Sequence, residues 1–446
     1  MLSSLTHYSL YSLLVFTPLA LGSVQGWAIS VIHLITLLAL TAFLLENSLA
    51  WNWGWIKTPL DKPILVLLIL SILSTVFSVH TYTSIWSFIL LCNYVIIFYL
   101  IIHTHRTRSQ LRQLVYLIVF VAAFLSIFGL IKKFGNNTFP WWDYSFMKRN
   151  SNIVSATYVN PNHFAGYMEM TIPLLLGLFL TGFRGIKFFL MIVLATLLFA
   201  ALILSLSRGG WFAAFTGLFF MSFALFFNPY FQSKKLVLTL ACGFFVVAFI
   251  VLSSTPVVKE IKTLELKGNI PVLKDRVTVW GGIVEMIKNH PLLGTGPGTF
   301  ATVFTQYQPP GMLMRYTEGH NDYLHFISEA GLALIPVMVW MMIAFFVRGF
   351  KKLNNPSRLV RGTTLGAMSG VTAILIHSIF DFNLHIPANA LLFTVLAAIV
   401  VSPVPATGNR GQRAGSLEDK KVRRSEGKRS EDRGQMSEDR RQGTDN

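Results

Sequence analysis

Residues 186–227 read IKFFLMIVLATLLFAALILSLSRGGWFAAFTGLFFMSFALFF. Two apolar runs, about 186–205 and 210–227, stand on either side of Ser207, Arg208, Gly209 and Gly210. A run of about 20 apolar residues crosses the hydrocarbon core of a bilayer, because only a helix bonds every backbone amide within its own segment. Working outward, further runs cover about 8–24, 27–45, 63–79, 84–102, 113–131, 164–181, 236–253, 322–347, 362–380 and 386–402. The boundaries between the first two runs and around 205–210 are soft. With 53% hydrophobic and 13% charged residues, the chain reads as an all-α polytopic membrane protein of about twelve transmembrane helices.

Orientation follows from the basic residues. The even-to-odd connections hold Lys57, Lys62, Arg106, Arg108, Arg112, Arg184, Lys187, Lys234, Lys235, Arg348, Lys351, Lys352, Arg358 and Arg361. The short connections 22–27, 79–84 and 381–386 hold no Lys or Arg. Positive charge collects on the cytoplasmic side, so both termini are expected there and the loop at 254–321, between spans nine and ten, faces outward. A second outward loop, 132–163, offers Pro140, Trp141, Trp142 and Tyr144 to the aromatic interface belt. No Lys or Arg precedes Lys57, so no cleavable signal is expected and the first span is retained.

The net charge of +17 suggests nucleic acid only until its distribution is read. The tail after Pro405 carries 11 of the 37 basic and 8 of the 20 acidic residues, so it is mixed in sign and poor in apolar residues. It is expected to be a disordered cytoplasmic tail touching anionic lipid at most, with no nucleic-acid role. Cys92 and Cys242 lie inside apolar runs and form no disulfide framework or metal set. The organisation is then spans one to five (1–131), the loop 132–163, a transmembrane core over 164–402 that includes the loop 254–321, and the tail 403–446.

Four outward clusters carry chemistry-bearing residues. Arg208, between two apolar runs, is either an interfacial anchor or a phosphate-binding fork. Around Arg276, Val277, Trp280, Ile283 and Ile287 recur at helical spacing, predicting an amphipathic surface helix with Asp275 as N-cap and Arg276 in its first turn. A cation there is disfavoured by the helix dipole unless an anion sits nearby. Gly294, Gly296 and Gly298 form a glycine-rich turn, but no Lys-Ser/Thr follows, so nucleotide binding is rejected and a packing turn expected. In Glu318-Gly-His-Asn-Asp-Tyr323, Asn321 or Asp322 can cap the incoming span and leave His320 at the water-facing mouth. An imidazole there is close enough to neutrality to accept a proton.

The combination resembles the bacterial O-antigen ligase and polymerase family, membrane glycosyltransferases that use polyprenyl-diphosphate-linked glycans. It is carried over roughly 155–400 by Asn160-Pro-Asn162-His163 through Glu169, Ser207-Arg208-Gly209, Asp275-Arg276 with Trp280, Pro291 through Gly298 with Phe300, and His320-Asn321-Asp322-Tyr323 with Glu329 and Gly331. His377 through Asp381 to His385 also looks like a stretch found in part of the family.

The resemblance implies transfer of a glycan from a polyprenyl-diphosphate carrier to an acceptor hydroxyl on the periplasmic face of a bacterial inner membrane, with inversion and without a metal or other cofactor. The leaving group is already activated. Arg208 and Arg276 then neutralise the departing diphosphate, and His320 is the general base. Asn160, Asn162 and His163 line the sugar site or cap span six, and Asn321, Asp322 and Asp381 line the site or support it. The acceptor is lipid A-core, another glycan or another hydroxyl, and a chain-length regulator is a further partner. His377, Asp381 and His385 share a face only if their helix continues, which Asn383 and Pro387 oppose. Metal binding by that triplet is therefore disfavoured against a capped helix end or a supporting Asp381. Glu169 is a buried acid with no partner named by the sequence. The alternative is a component transporting bicarbonate or another small anion. Against it, the polar clusters gather at the outward boundary instead of mid-membrane.

Overall fold

The computed structural model describes residues 2–51, 53–135, 153–228, 230–231, 234–254, 271–308 and 315–404. The aromatic group of Trp141, Trp142 and Tyr144, the start of the long loop and the tail lie outside the described residues. The helices are α1 (Leu2–Leu19), α2 (Gly26–Ala50), α3 (Asp61–Val76), α4 (Thr81–Thr104), α5 (Arg108–Phe134), α6 (Pro161–Phe179), α7 (Ile186–Leu204), α8 (Arg208–Phe227) and α9 (Lys234–Ser254). They continue as α10 (Pro271–Asn289), α11 (Phe300–Val303), α12 (Asp322–Ala330), α13 (Leu334–Leu353), α14 (Arg358–His377) and α15 (Pro387–Val401). Among the described residues there is no strand.

Every apolar run coincides with helix, but the twelve-span expectation is met only in part. Among the described residues, 7 helices are long and apolar enough to cross a membrane: α2, α4, α5, α7, α8, α13 and α14. The tenth run, expected as one span, is two helices. The chain breaks at Gly331 (φ 80°), where a side chain would strike the Leu292 carbonyl. Only glycine takes that backbone region without cost.

The centre of the bundle is α6, buried at every position from His163 to Phe179. Against it runs a ladder of glycines on α14. A Cβ at Gly366 would stand 2.5 Å from the Pro173 carbonyl oxygen, one at Gly370 2.5 Å from that of Met170, and Gly362 abuts Gly177. Small residues four apart let two backbones approach where lipid supplies no hydrophobic drive between helices. On α8, Gly217 meets Ser369 in the same way. Outer helices turn their large apolar side chains outward: Leu34, Leu37, Leu38 and Leu45 on α2, and Phe212, Phe215, Phe219 and Phe223 on α8. That inversion is what a lipid solvent requires.

The bundle has two unlike ends. At one end the basic residues cap helices and turns. Lys352 Nζ donates to the carbonyl oxygens of Ile399 (2.7 Å) and Ser402 (3.1 Å) at the end of α15, and Arg361 donates to those of Asn355 (2.7 Å) and Tyr230 (3.0 Å). Cations there meet the negative ends of helix dipoles. At the other end the long loop is clamped onto the bundle through its glycine turn. Thr295 N donates to Ser328 O (3.0 Å), Gly296 N to Glu329 O (2.9 Å) and Val79 N to Thr295 O (3.0 Å). Ser74 of α3 donates to Leu293 O (2.7 Å).

The loop has a small core of its own, which corrects two expectations about α10. Val279, Ile283, Met286 and Ile287 bury their apolar face against Phe300, Val303 and Phe304, so Trp280, Ile283 and Ile287 of the expected stripe pack on protein while Val277 stays exposed. The helix also begins at Pro271, since proline is favoured at a first helical position. Asp275 is therefore inside the helix, not its N-cap, and Arg276 lies beyond the first turn.

Candidate functional site

The site forms where helix ends meet on the loop-bearing face. Asn160 caps α6, its side chain accepting from Asn162 N at 3.0 Å, and Ser207 caps α8, accepting from Gly210 N at 3.1 Å. Asn321 caps α12, accepting from Leu324 N at 3.0 Å. The N-termini of α6, α8, α12 and α15 and the C-terminus of α14 share this face. N-terminal amides and their dipoles make such a face receptive to anions.

Asp381, in the loop after α14, is its hub. Asn162 donates to its Oδ2 at 2.7 Å and the Phe382 N–H to its Oδ1 at 2.8 Å. The Arg276 guanidinium is 3.9 Å away and anchors on the Phe380 carbonyl oxygen at 2.6 Å. His163 Nε2 stands 3.6 Å from Oδ1, too far for a good hydrogen bond, so its influence is electrostatic. Asp381 is 1% exposed. Burial alone would raise its pKa, but His163, His377 and the Phe382 N–H outweigh burial and hold it well below the usual carboxylate range.

His320 faces this hub across Phe382. The Phe382 ring lies edge-on, 5.1 Å from the His320 ring and 4.6 Å from that of His163. His320 has φ 48°, rare for a residue with a Cβ, and its Nδ1 is buried without a hydrogen-bond partner. Burial lowers its pKa, the nearby Asp381 opposes that, and Arg276, His163 and His325 add to the lowering. The net result favours the neutral imidazole, the form that accepts a proton.

Arg208 is the first residue of α8 and is exposed. Its neighbourhood joins that of Arg276, because Phe212 one turn on packs edge-to-face on Phe380 at 6.2 Å. Beneath it lies a pair that sequence reading missed. Glu169 of α6 meets His377 Nδ1 at 3.0 Å, the two side chains 0% and 1% exposed. The same imidazole packs on Gly209, where a Cβ would stand 2.8 Å from its Nε2. The glycine ladder was the unread signal: residue 377 follows Gly370 by seven, so it shares the face of α14 that meets α6.

The triplet His377, Asp381 and His385 separates, because α14 ends at His377. His377 goes to Glu169, Asp381 to the hub, and His385 to Asp322. Asp322 is fully used: Oδ1 takes His385 Nδ1 at 2.6 Å, and Oδ2 takes Ser378 Oγ at 2.7 Å and Leu384 N at 3.0 Å. Burial works against a charged His385, yet Asp322, with Glu318 and Glu329, pushes its pKa up to about 9. Asp322 thus braces the loop after α14, while Asn321 serves as a cap. The structure brings His320, Arg276, His163, Asn162 and Asp381 together and places Arg208 at the edge of the same face.

Comparison with known families gives a match to the family model described as O-antigen ligase over residues 192–339. That stretch contains Arg208, Arg276, His320, Asn321 and Asp322. No curated protein matches the chain. Neither the match nor the geometry supports the small-anion-transporter alternative. The chain is a multi-pass membrane protein whose residues 192–339 match the O-antigen ligase family.

Proposed function

We propose that the chain moves a glycan from a polyprenyl-diphosphate carrier to an acceptor hydroxyl on the extracytoplasmic face of a bacterial inner membrane. The observation that carries this is the gathering of Arg276, His163 and Asn162 on Asp381 beside His320, whose Nδ1 has no hydrogen-bond partner. The likeness of residues 192–339 to the O-antigen ligase family supports glycan transfer; the cations and the imidazole give it a chemical route.

The acceptor oxygen attacks the anomeric carbon from the side opposite the phosphate, which inverts that centre. His320 takes the hydroxyl proton as the new C–O bond forms. The bond from the anomeric carbon to the phosphate oxygen breaks, and polyprenyl diphosphate leaves with the electron pair. Arg208 and Arg276, with the amides at the start of α8, receive the charge that develops on it. Asp381 holds Arg276 and biases the field at His320. Activation resides in the diphosphate, so this route uses neither a nucleotide sugar nor a metal-bound nucleophile. Glycan, lipid A-core and other hydroxyl acceptors all suit it, and a chain-length regulator is the expected partner if the acceptor is a growing glycan.

The test is product formation by purified protein from a synthetic polyprenyl-diphosphate glycan. Arg208→Ala, Arg276→Ala and His320→Ala are each expected to lower turnover by about 10²–10³ while the protein still inserts. Wild-type turnover in all three removes the mechanism. Deleting the gene sorts the acceptors: uncapped core indicates a ligase, single repeats a polymerase.

A further inference from the structure

A second cluster of titratable groups lies beside the segment that carries His320 and has no part in the transfer route. His325 of α12 and His385, ahead of α15, stack with ring centroids 3.9 Å apart and planes 22° from parallel. Each imidazole has one nitrogen held by a buried carboxylate. His385 Nδ1 bonds Asp322 Oδ1 at 2.6 Å, and His325 Nε2 bonds Glu329 Oε1 at 3.3 Å. Their other nitrogens are little used. His385 Nε2 is buried without a hydrogen-bond partner. His325 Nδ1 accepts only a long bond from Gly319 N at 3.4 Å. Glu318 completes the group, its Oε2 buried without a hydrogen-bond partner and 3.5 Å from His325 Nδ1. One ligand atom from each of Glu318, His325 and His385 falls within 4.8 Å of the others.

A carboxylate on the far nitrogen of an imidazole is the arrangement by which proteins fix the tautomer and aim of a metal-ligating histidine. Here it occurs twice. The charge balance agrees: among the described residues, the ion pairs of Glu318, Asp322 and Glu329 are all with these two histidines.

We propose that Glu318, His325 and His385 bind one divalent transition-metal ion, with zinc the best match. Two imidazole nitrogens and one carboxylate oxygen are a zinc donor set, with a fourth position for water. Binding turns the two rings out of their stack and draws the three donors toward the edge of a tetrahedron, about 3.3 Å for ligands at about 2.0–2.1 Å from the ion. The ion is a clip and not a reactant. Its ligands at 318 and 325 bracket His320 in the chain, and the ligand at 385 belongs to the loop that carries Asp381. It therefore ties the base to the hub and supports the unfavourable φ of His320.

The experiment uses full-length protein in detergent, purified without a polyhistidine tag and stripped with a chelator. Cobalt(II) is titrated alone, followed by zinc(II) in competition, and the visible absorption of tetrahedral cobalt is read. One cobalt per chain is expected, displaced by zinc, with affinity at least about tenfold weaker in Glu318→Gln and His385→Gln. Uptake by wild type below about a tenth of an ion per chain overturns the proposal, a result that needs no variant to fold. Equal affinity in wild type and both variants overturns it too. The readout is ion binding and not glycan transfer, so this proposal and the proposed function stand or fall separately.

Discussion

Two histidine–carboxylate clusters flank His320, and they differ in what answers the acid. Around Asp381 the partners include a guanidinium, a side-chain amide and a backbone N–H. Around Glu318, Asp322 and Glu329, among the described residues, the ion-pair partners are imidazoles alone. An arginine keeps its charge at every relevant pH and offers a planar fork to phosphate oxygens. An imidazole gives up its proton readily and accepts a metal in its place. On the proposed reading the first cluster holds an anionic substrate, and the second braces the loops that carry the proposed base. Residue type is similar in both, and the neighbours decide the role.

The comparison can be broken in several places. The largest effect is expected at the pair beneath the first cluster. Glu169→Ala leaves His377 buried without its partner and should cost about 3–5 kcal/mol of stability, read as a fall in thermal midpoint in detergent. An unchanged midpoint would mean the pair carries no charge. Next comes Arg276→Ala, with turnover down about 10²–10³, or roughly 2.7–4 kcal/mol, at unchanged helix content. Arg276→Lys should recover little of it, because an ammonium lacks the fork that reaches the Phe380 carbonyl and the phosphate together.

His385→Gln sharpens the contrast. It loses the 2.6 Å bond to Asp322, a contact to a charged group worth about 1.5–3 kcal/mol. It should lower the thermal midpoint more than it lowers turnover, whereas Arg276→Ala should do the reverse. If both variants act mainly on turnover, the two clusters are one site. The smallest effect is expected from exposed Lys351→Ala at the opposite end of the bundle, within about 0.5 kcal/mol of wild type in stability.

Much of the candidate site was legible because its signals are local. Asn321 does cap α12, Asn160 does cap α6, and Asp381 does sit outside the helix that Asn383 and Pro387 were expected to end. The glycine turn packs the loop as expected, with Gly296 N bonding Glu329 O. The misreadings came from contacts between segments distant in the chain. The stripe on α10 fits a membrane surface equally well until Phe300 and Phe304 are seen to pack on Ile283 and Ile287, leaving Val277 exposed. The tenth run was read as one span despite Asp322, His325 and Glu329 ahead of Gly331, and its break is explained only when Leu292 is found against Gly331.

By itself the sequence determined the solvent and the candidates. Run length and hydropathy answer to the bilayer alone, the basic residues mark one end of the bundle, and the order of short motifs singled out Arg208, Arg276 and His320. Only the tertiary structure decided the partners. Glu169 and His377 are 208 residues apart in the chain, and they meet because the glycines of α14 set its register against α6. Hydropathy is a property of each segment with its solvent, whereas a pairing depends on how two segments pack, and no single stretch contains that information.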